Sequence, residues 1–129
     1  MTRETRATHV ASADLELLNI EVTQAGGAVR YLEGERYGLS TSAYHSLVPS
    51  GFGPPPHRHP YPEYFVLHQG RGHYLVGDEA FDAVAGDVVI VPPNAWHSFV
   101  SFGGGPLRLT AVHEAPVHAT ERREADGEG

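Results

Sequence analysis

The sequence contains no cysteine and no lysine among its 129 residues. Without cysteine there is no disulfide framework, no thiolate nucleophile and no cysteine-ligated zinc or iron–sulfur site. Without lysine, Schiff-base chemistry and lysine general bases are excluded. Any metal ion would therefore have to be bound by histidine and carboxylate side chains.

Positive charge and long apolar runs are also scarce. The formal net charge is −7, and the nine basic residues, all arginines, are scattered along the chain. Because nucleic-acid binding needs a basic stripe, we expect no nucleic-acid partner. No apolar run approaches the roughly 20 residues that span a bilayer, and the opening MTRETRATHV lacks the apolar core of a signal peptide. We therefore expect no membrane partner and a cytoplasmic location.

Glycine, proline and histidine, in contrast, are abundant. The 15 glycines and 10 prolines suit a turn-rich β protein, because both residues interrupt helices. The length is that of a single domain, which we place at residues 13–118, after a flexible arm (1–12) and before a disordered acidic tail (119–129). The nine histidines matter because histidine is the commonest metal ligand among side chains.

Short β-strands alternate with glycine and proline along most of the chain. No helical periodicity is convincing, so the pattern predicts an antiparallel sandwich or barrel. The predicted strands are Leu15–Thr23, with a slip of phase near Asn19, and then Gly38–Val48, Glu63–His68, His73–Val76, Val88–Val91 and Leu107–His113.

One hairpin can be predicted residue by residue. Gly77 and Asp78 fit a two-residue type II′ turn with glycine first. This turn would place Val76 opposite Glu79, Leu75 opposite Ala80, Tyr74 opposite Phe81 and His73 opposite Asp82. The last two pairs would be an aromatic contact and a charge-compatible contact.

The stretch GPPPHRHPYPEYF, residues 53–65, holds a cluster of potential ligands. Side chains alternate faces along a strand, so His57 and His59 point the same way, and Glu63 keeps that parity if the chain stays extended. The three prolines at 54–56 would stiffen the approach and lower the entropy cost of holding the histidines. A fourth candidate is His97, which follows the VPPNAW turn.

These residues carry a resemblance to the cupin superfamily. The first cupin signature is matched at each of its fixed positions, which are Gly51, His57, His59, Glu63 and Gly70. The second is matched at Gly86, Pro92 and His97, with Asn94 in place of the usual glycine and Ser101 in place of the usual asparagine. Asn94 is a mild change because asparagine tolerates the left-handed conformation of a tight turn.

The resemblance implies an all-β fold, a double-stranded β-helix or jelly-roll β-barrel. It also implies that the positions of His57, His59, Glu63 and His97 bind one divalent metal ion. Three imidazoles and one carboxylate suit Fe, Mn, Ni, Co or Zn, and affinity alone does not select among them. Four protein ligands would leave two positions of an octahedral ion open for other ligands.

The alternation of side chains along the strands also predicts which residues line a pocket around this site. If Glu63 and His97 point inward, so do Phe65, Leu67 and Phe99, and we expect a mostly apolar cavity. His45 is included as a further lining residue, although it and His113 could each line the barrel or face solvent. We expect His68 to face outward, His73 to pair with Asp82, and His9 and His118 to be solvated.

We expect a metal-dependent enzyme that acts on a small, partly apolar or aromatic, enol-type molecule, most plausibly a non-haem dioxygenase in which Glu63 loosens to act as a catalytic base. A metal-dependent isomerase or polyketide cyclase shares this scaffold, as do decarboxylases and lyases, so the ligands do not decide the reaction. Two further alternatives are a barrel that binds a small ligand without turnover and a structural barrel. We also expect a homodimer, formed where the strand at Leu15–Thr23 covers an edge across a two-fold axis.

Overall fold

The structure, a computed structural model, describes residues 5–123. Its strands are β1 (Glu16–Leu18), β2 (Ala28–Leu32), β3 (Ser42–Val48), β4 (His57–Arg58), β5 (Glu63–Gln69), β6 (Arg71–Val76), β7 (Glu79–Val84), β8 (Val88–Val91), β9 (His97–Phe102), β10 (Leu107–His113) and β11 (Glu121–Arg122). Helical structure includes α1 (Ile20–Gln24) and the short 3-10 helices Ser12–Asp14 and Gly34–Tyr37. None of the helices in this part of the chain is long and apolar enough to cross a membrane; the cytoplasmic location stays a prediction.

The strands form two antiparallel sheets. One has the strand order β1-β2-β3-β10-β5-β8 and the other has the order β11-β4-β9-β6-β7. Neighbours in both sheets are mostly distant in sequence, as when β10 pairs with β3 and β5. The jelly-roll fold predicted from the sequence is confirmed.

The apolar core lies between the two sheets. Along β5 and β10 buried and less buried residues alternate, so each strand gives one face to the core. The buried cluster consists of Val48, Phe65, Leu67, Tyr74, Ala83, Val89, Val91, Phe99, Leu107, Leu109 and Ala111.

The predicted hairpin between β6 and β7 is confirmed in each of its four pairs. Gly77 has a φ of 57°, whereas Asp78 has no positive φ, as a type II′ turn requires. The rings of Tyr74 and Phe81 stack with centroids 5.9 Å apart, and His73 Nδ1 lies 2.6 Å from Asp82 Oδ1.

The prediction of one strand over Leu15–Thr23 is wrong after Leu18. Asn19 adopts a left-handed φ of 59°, and its side chain accepts a hydrogen bond from the Val22 backbone N–H. This cap starts helix α1 at the residue where the alternation of apolar and polar side chains changes phase. The strand predicted from Gly38 likewise begins only at Ser42, and β2 was not predicted.

The predicted disordered tail is wrong for residues 119–123. Strand β11 pairs with β4, so the second sheet continues beyond residue 118. Composition could not show this, because β11 contributes main-chain pairing and an ion pair between Arg58 and Glu121 rather than apolar burial. Residues 124–129 and residues 1–4 of the predicted arm lie outside the described range, and residues 6–11 form no strand.

The proline-rich loop before β4 is held against β9. The N–H of Gly51 donates to the carbonyl of Ser101 at 2.7 Å, and the N–H of Ser101 donates to the carbonyl of Phe52 at 2.9 Å. Gly53 then approaches so closely that an added Cβ would lie 1.8 Å from the Phe99 carbonyl oxygen. Only glycine fits at this position, just before the segment that carries His57.

We expect Gly53→Ala to lower the free energy of unfolding by about 1–3 kcal/mol, because backbone must move to relieve the overlap. Gly105→Ala is the matched control, since its Cβ would meet no atom within 4 Å and its φ is not positive. Urea denaturation of both variants measures the difference. Equal stability of the two variants would contradict this account of the loop.

Candidate metal centre

Both sheets contribute residues to one buried site. β4 and β9 of the second sheet place His57 directly opposite His97. β5 and β10 of the first sheet place Glu63 directly opposite His113. His59 lies between β4 and β5, where its carbonyl accepts a hydrogen bond from the Asn94 N–H at 2.7 Å. Asn94 has a left-handed φ of 66°, the conformation expected for it.

The four predicted metal ligands are brought together by the structure. One ligand atom from each of His57, His59, Glu63 and His97 lies within 4.8 Å of all the others. His59, Glu63 and His97 are buried, and His57 is half-buried toward the cavity. Glu63 Oε1 lies 3.1 Å from His59 Nε2 and 3.0 Å from His97 Nε2.

Backbone carbonyls orient the three imidazoles. The Nδ1 atom of His57 lies 2.8 Å from the carbonyl of Pro55, that of His59 lies 2.8 Å from Ala119, and that of His97 lies 2.9 Å from Ala95. A carbonyl oxygen only accepts, so Nδ1 carries the proton and donates. In the neutral ring the lone pair is then on Nε2, and this is the arrangement of a metal-ligating histidine.

The charge states of Glu63 and His57 suit a cation. Burial alone would raise the pKa of Glu63, but the imidazoles of His113, His59 and His97 lower it well below its usual value. Burial lowers the pKa of His57 from 6.5 to about 4. At neutral pH the site therefore combines an ionised carboxylate with a neutral imidazole at His57.

The donor atoms fit one divalent transition metal. Three imidazole nitrogens and a carboxylate oxygen are ligands that such ions accept. His59 Nε2 is buried and, despite its 3.1 Å distance from Glu63 Oε1, it makes no hydrogen bond. A buried polar atom without a hydrogen bond costs free energy, and a metal ion would satisfy this one.

His113 is a site residue that the sequence reasoning left open. Its Nε2 lies 3.1 Å from Glu63 Oε2, and its Nδ1 lies 2.6 Å from the hydroxyl of Tyr61. That hydroxyl also accepts a hydrogen bond from the Ala119 N–H at 3.0 Å. The alternation of β10 contained the signal, because His113 shares parity with the inward-facing Leu109 and Ala111.

His57, His59, Glu63 and His113 line an open cavity of about 560 Å³. Its walls are mostly apolar and include the predicted residues Phe65 and Phe99. Leu67 is buried in the core but does not line the cavity. The prediction for His45 is wrong: β3 turns Tyr44 and Ser46 toward the cavity, so residue 45 faces outward, where it contacts Thr110.

A family model confirms the resemblance at this point. The model described as "Cupin domain" matches residues 43–113, which is more than half of the chain. The chain belongs to the cupin family. An uncharacterized protein of Methanocaldococcus jannaschii is 28% identical over 99 residues, covering 74% of this cupin and 78% of the relative.

Solved cupin structures share the fold. An oxalate decarboxylase of Lactobacillus farciminis, in a formate complex, has a TM-score of 0.75 and 24% identity over 85% of this chain. An oxalate decarboxylase of Bacillus subtilis with Mn(II) centres has a TM-score of 0.69 and 21% identity over 74% of this chain. This cupin spans only 34% and 28% of those two chains.

We expect His57→Ala and His97→Ala each to abolish stoichiometric metal binding, because each removes an oriented Nε2 donor from a buried set. His68→Ala is the control, since His68 is exposed on the outer face of β5. Elemental analysis of protein purified without chelator makes the comparison. Full metal occupancy in either of the first two variants would contradict the four-ligand centre.

Proposed function

We propose that this cupin binds one divalent metal ion through His57, His59, Glu63 and His97 and uses it to oxidise a small organic molecule with O₂, as a non-haem dioxygenase does. The observation that carries the proposal is the convergence of three backbone-oriented imidazoles and one ionised carboxylate at a cavity. Fe, Mn, Ni, Co and Zn all suit this donor set, and dioxygenase chemistry favours a redox-active ion among them.

The cavity supports a partly apolar or aromatic substrate with an enol or similar coordinating group. When bound, a divalent ion would supply Lewis acidity and, if redox-active, a route for electrons. Phe65 and Phe99 offer aromatic surface for the body of the substrate. Because the walls are mostly apolar, a substrate that fills the cavity would displace water from the reacting group.

Glu63 acts first as a ligand in this proposal. Its pKa is held well below the usual value, so the carboxylate is a weak base while the imidazoles surround it. The catalytic role predicted for Glu63, as a base, would require it to move away from His59 and His97. Its Oε2 atom already faces His113 rather than these two residues.

A second candidate is a redox-neutral reaction, as in a metal-dependent isomerase or polyketide cyclase. The observation in its favour is His113, which lines the cavity, contacts Glu63 and is hydrogen bonded to Tyr61. A histidine so placed can exchange a proton with a substrate. The structural neighbours named as oxalate decarboxylases show that the cupin fold carries reactions other than dioxygenation.

We expect protein purified without added metal to contain near-stoichiometric iron, nickel or manganese and to consume O₂ with an aromatic enol substrate. His97→Ala is the matched control and should show neither property. Elemental analysis and an O₂ electrode trace on the same sample test this. Substrate conversion without O₂ uptake would contradict the dioxygenase and support the redox-neutral candidate, whereas tight binding without conversion would support a cupin that only binds its ligand.

We also propose that the protein is a homodimer. Strand β1 forms one edge of the six-stranded sheet, and its Leu17 is 45% exposed. An edge strand with an exposed apolar side chain can pair with a second copy across a two-fold axis.

Light scattering should give twice the 14.0 kDa chain mass for the wild-type protein. Leu17→Asp should shift the mass to that of a monomer, because a buried charge would oppose association. Leu75→Asp is the matched control, since Leu75 is also 45% exposed but lies in β6, inside the other sheet. A monomeric wild-type protein would exclude the dimer.

A further inference from the structure

Three consecutive charged residues, Glu121, Arg122 and Arg123, lie where β11 joins the second sheet. The outer two have partners on the outside of the barrel. Glu121 Oε1 lies 3.0 Å from Arg58 Nε, and the Arg123 guanidinium carbon lies 4.6 Å from the centre of the Trp96 ring. Arg58 lies over the same indole at 4.5 Å.

Arg122 faces the opposite way, toward the metal centre. It is directly opposite His57 in the pairing of β11 with β4, so both side chains project from the same face of the sheet. Both residues line the cavity. Arg122 is therefore a cation beside a predicted metal ligand.

The structure gives Arg122 no ion pair and no side-chain hydrogen bond within residues 5–123. Glu21 of helix α1 lines the same cavity, but no salt bridge joins the two side chains. A guanidinium has five N–H donors and binds carboxylates in a two-point geometry. Its two charged sequence neighbours are used for structure, whereas Arg122 remains available at a cavity with mostly apolar walls.

The charge of the metal-occupied centre also favours an anionic ligand. One carboxylate, Glu63, does not neutralise a divalent ion, so the occupied site would be cationic and Arg122 would add a second positive charge. Low-dielectric walls strengthen the attraction of such a site for an anion. Arg122 is exposed to solvent, so a neutral ligand would leave its guanidinium hydrated, whereas an anionic ligand would gain from its charge.

We propose that Arg122 determines specificity by binding the carboxylate of the substrate, which is then a small organic acid with an apolar or aromatic body. This inference deepens the proposed function and rests on it. Arg122 lies outside the family match at residues 43–113, so the selectivity belongs to the segment after the matched domain rather than to the metal-binding motif.

The test uses phenylpyruvate, an enolisable aromatic acid, and its neutral methyl ester as probes. Calorimetric titration measures their affinity for the zinc-loaded wild-type protein, for Arg122→Gln and for Arg123→Gln. We expect the wild-type protein to prefer the acid and Arg122→Gln to bind the acid at least about tenfold more weakly, the effect of losing a charged hydrogen bond. The ester should bind both proteins equally, and Arg123→Gln should behave as the wild type.

Zinc content and thermal unfolding of each variant show whether the site and fold are intact. If Arg122→Gln keeps the preference for the acid, or if the wild-type protein shows none, the inference is overturned. The same titration on metal-free protein separates failure of the inference about Arg122 from failure of the proposed function. A preference that depends on Arg122 there would support the inference even if the metal centre proved inactive.

Discussion

The buried carboxylate of Glu63 is the constraint on which the rest of the site depends. Moving an ionised carboxylate out of water is costly unless charged or hydrogen-bonding groups replace the solvent. His59 and His97 face Oε1, and His113 faces Oε2. Because Glu63 comes from one sheet and His97 from the other, this compensation also joins the two layers of the barrel.

The parts of the molecule that follow from local chemistry were predictable from sequence. The turn at Gly77 set four cross-strand pairs in β6 and β7, since a two-residue loop fixes the register. The spacing of His57 and His59 placed two ligands on one face because parity along a short extended segment is a local property. Glu63 joins them for another reason: the chain bends at residues 60 and 61 and passes from β4 in one sheet to β5 in the other, so the extended path expected here is wrong. His97 was a candidate from its place after the VPPNAW turn, and the second cupin signature assigned it as a ligand, although its partner His57 is distant in sequence.

The parts that depend on tertiary contacts were not predictable. The tail at residues 119–123 looked disordered because the partners of Glu121 and Arg123, which are Arg58 and Trp96, are distant in sequence. His45 and His113 were both left open between cavity and solvent, and the structure separates them: His45 faces Thr110 outside, whereas His113, as the alternation along β10 indicated, faces Glu63 inside. The alternation along β5 also placed the Leu67 side chain inside the barrel, but this side chain packs in the apolar core and does not line the cavity.

The two backbone polar groups of Ala119 determine when, during synthesis, the geometry of the metal ligands is completed. Its carbonyl sets the Nδ1 proton of His59, and its N–H fixes the hydroxyl of Tyr61, which in turn contacts His113. His59 and Ala119 are separated by 60 residues. On the ribosome, His57 and His59 emerge well before the residue that orients one of them. A nascent chain can therefore present these imidazoles to metals while the second histidine still lacks its orienting carbonyl, and ligand geometry is completed only after Ala119 has emerged and docked.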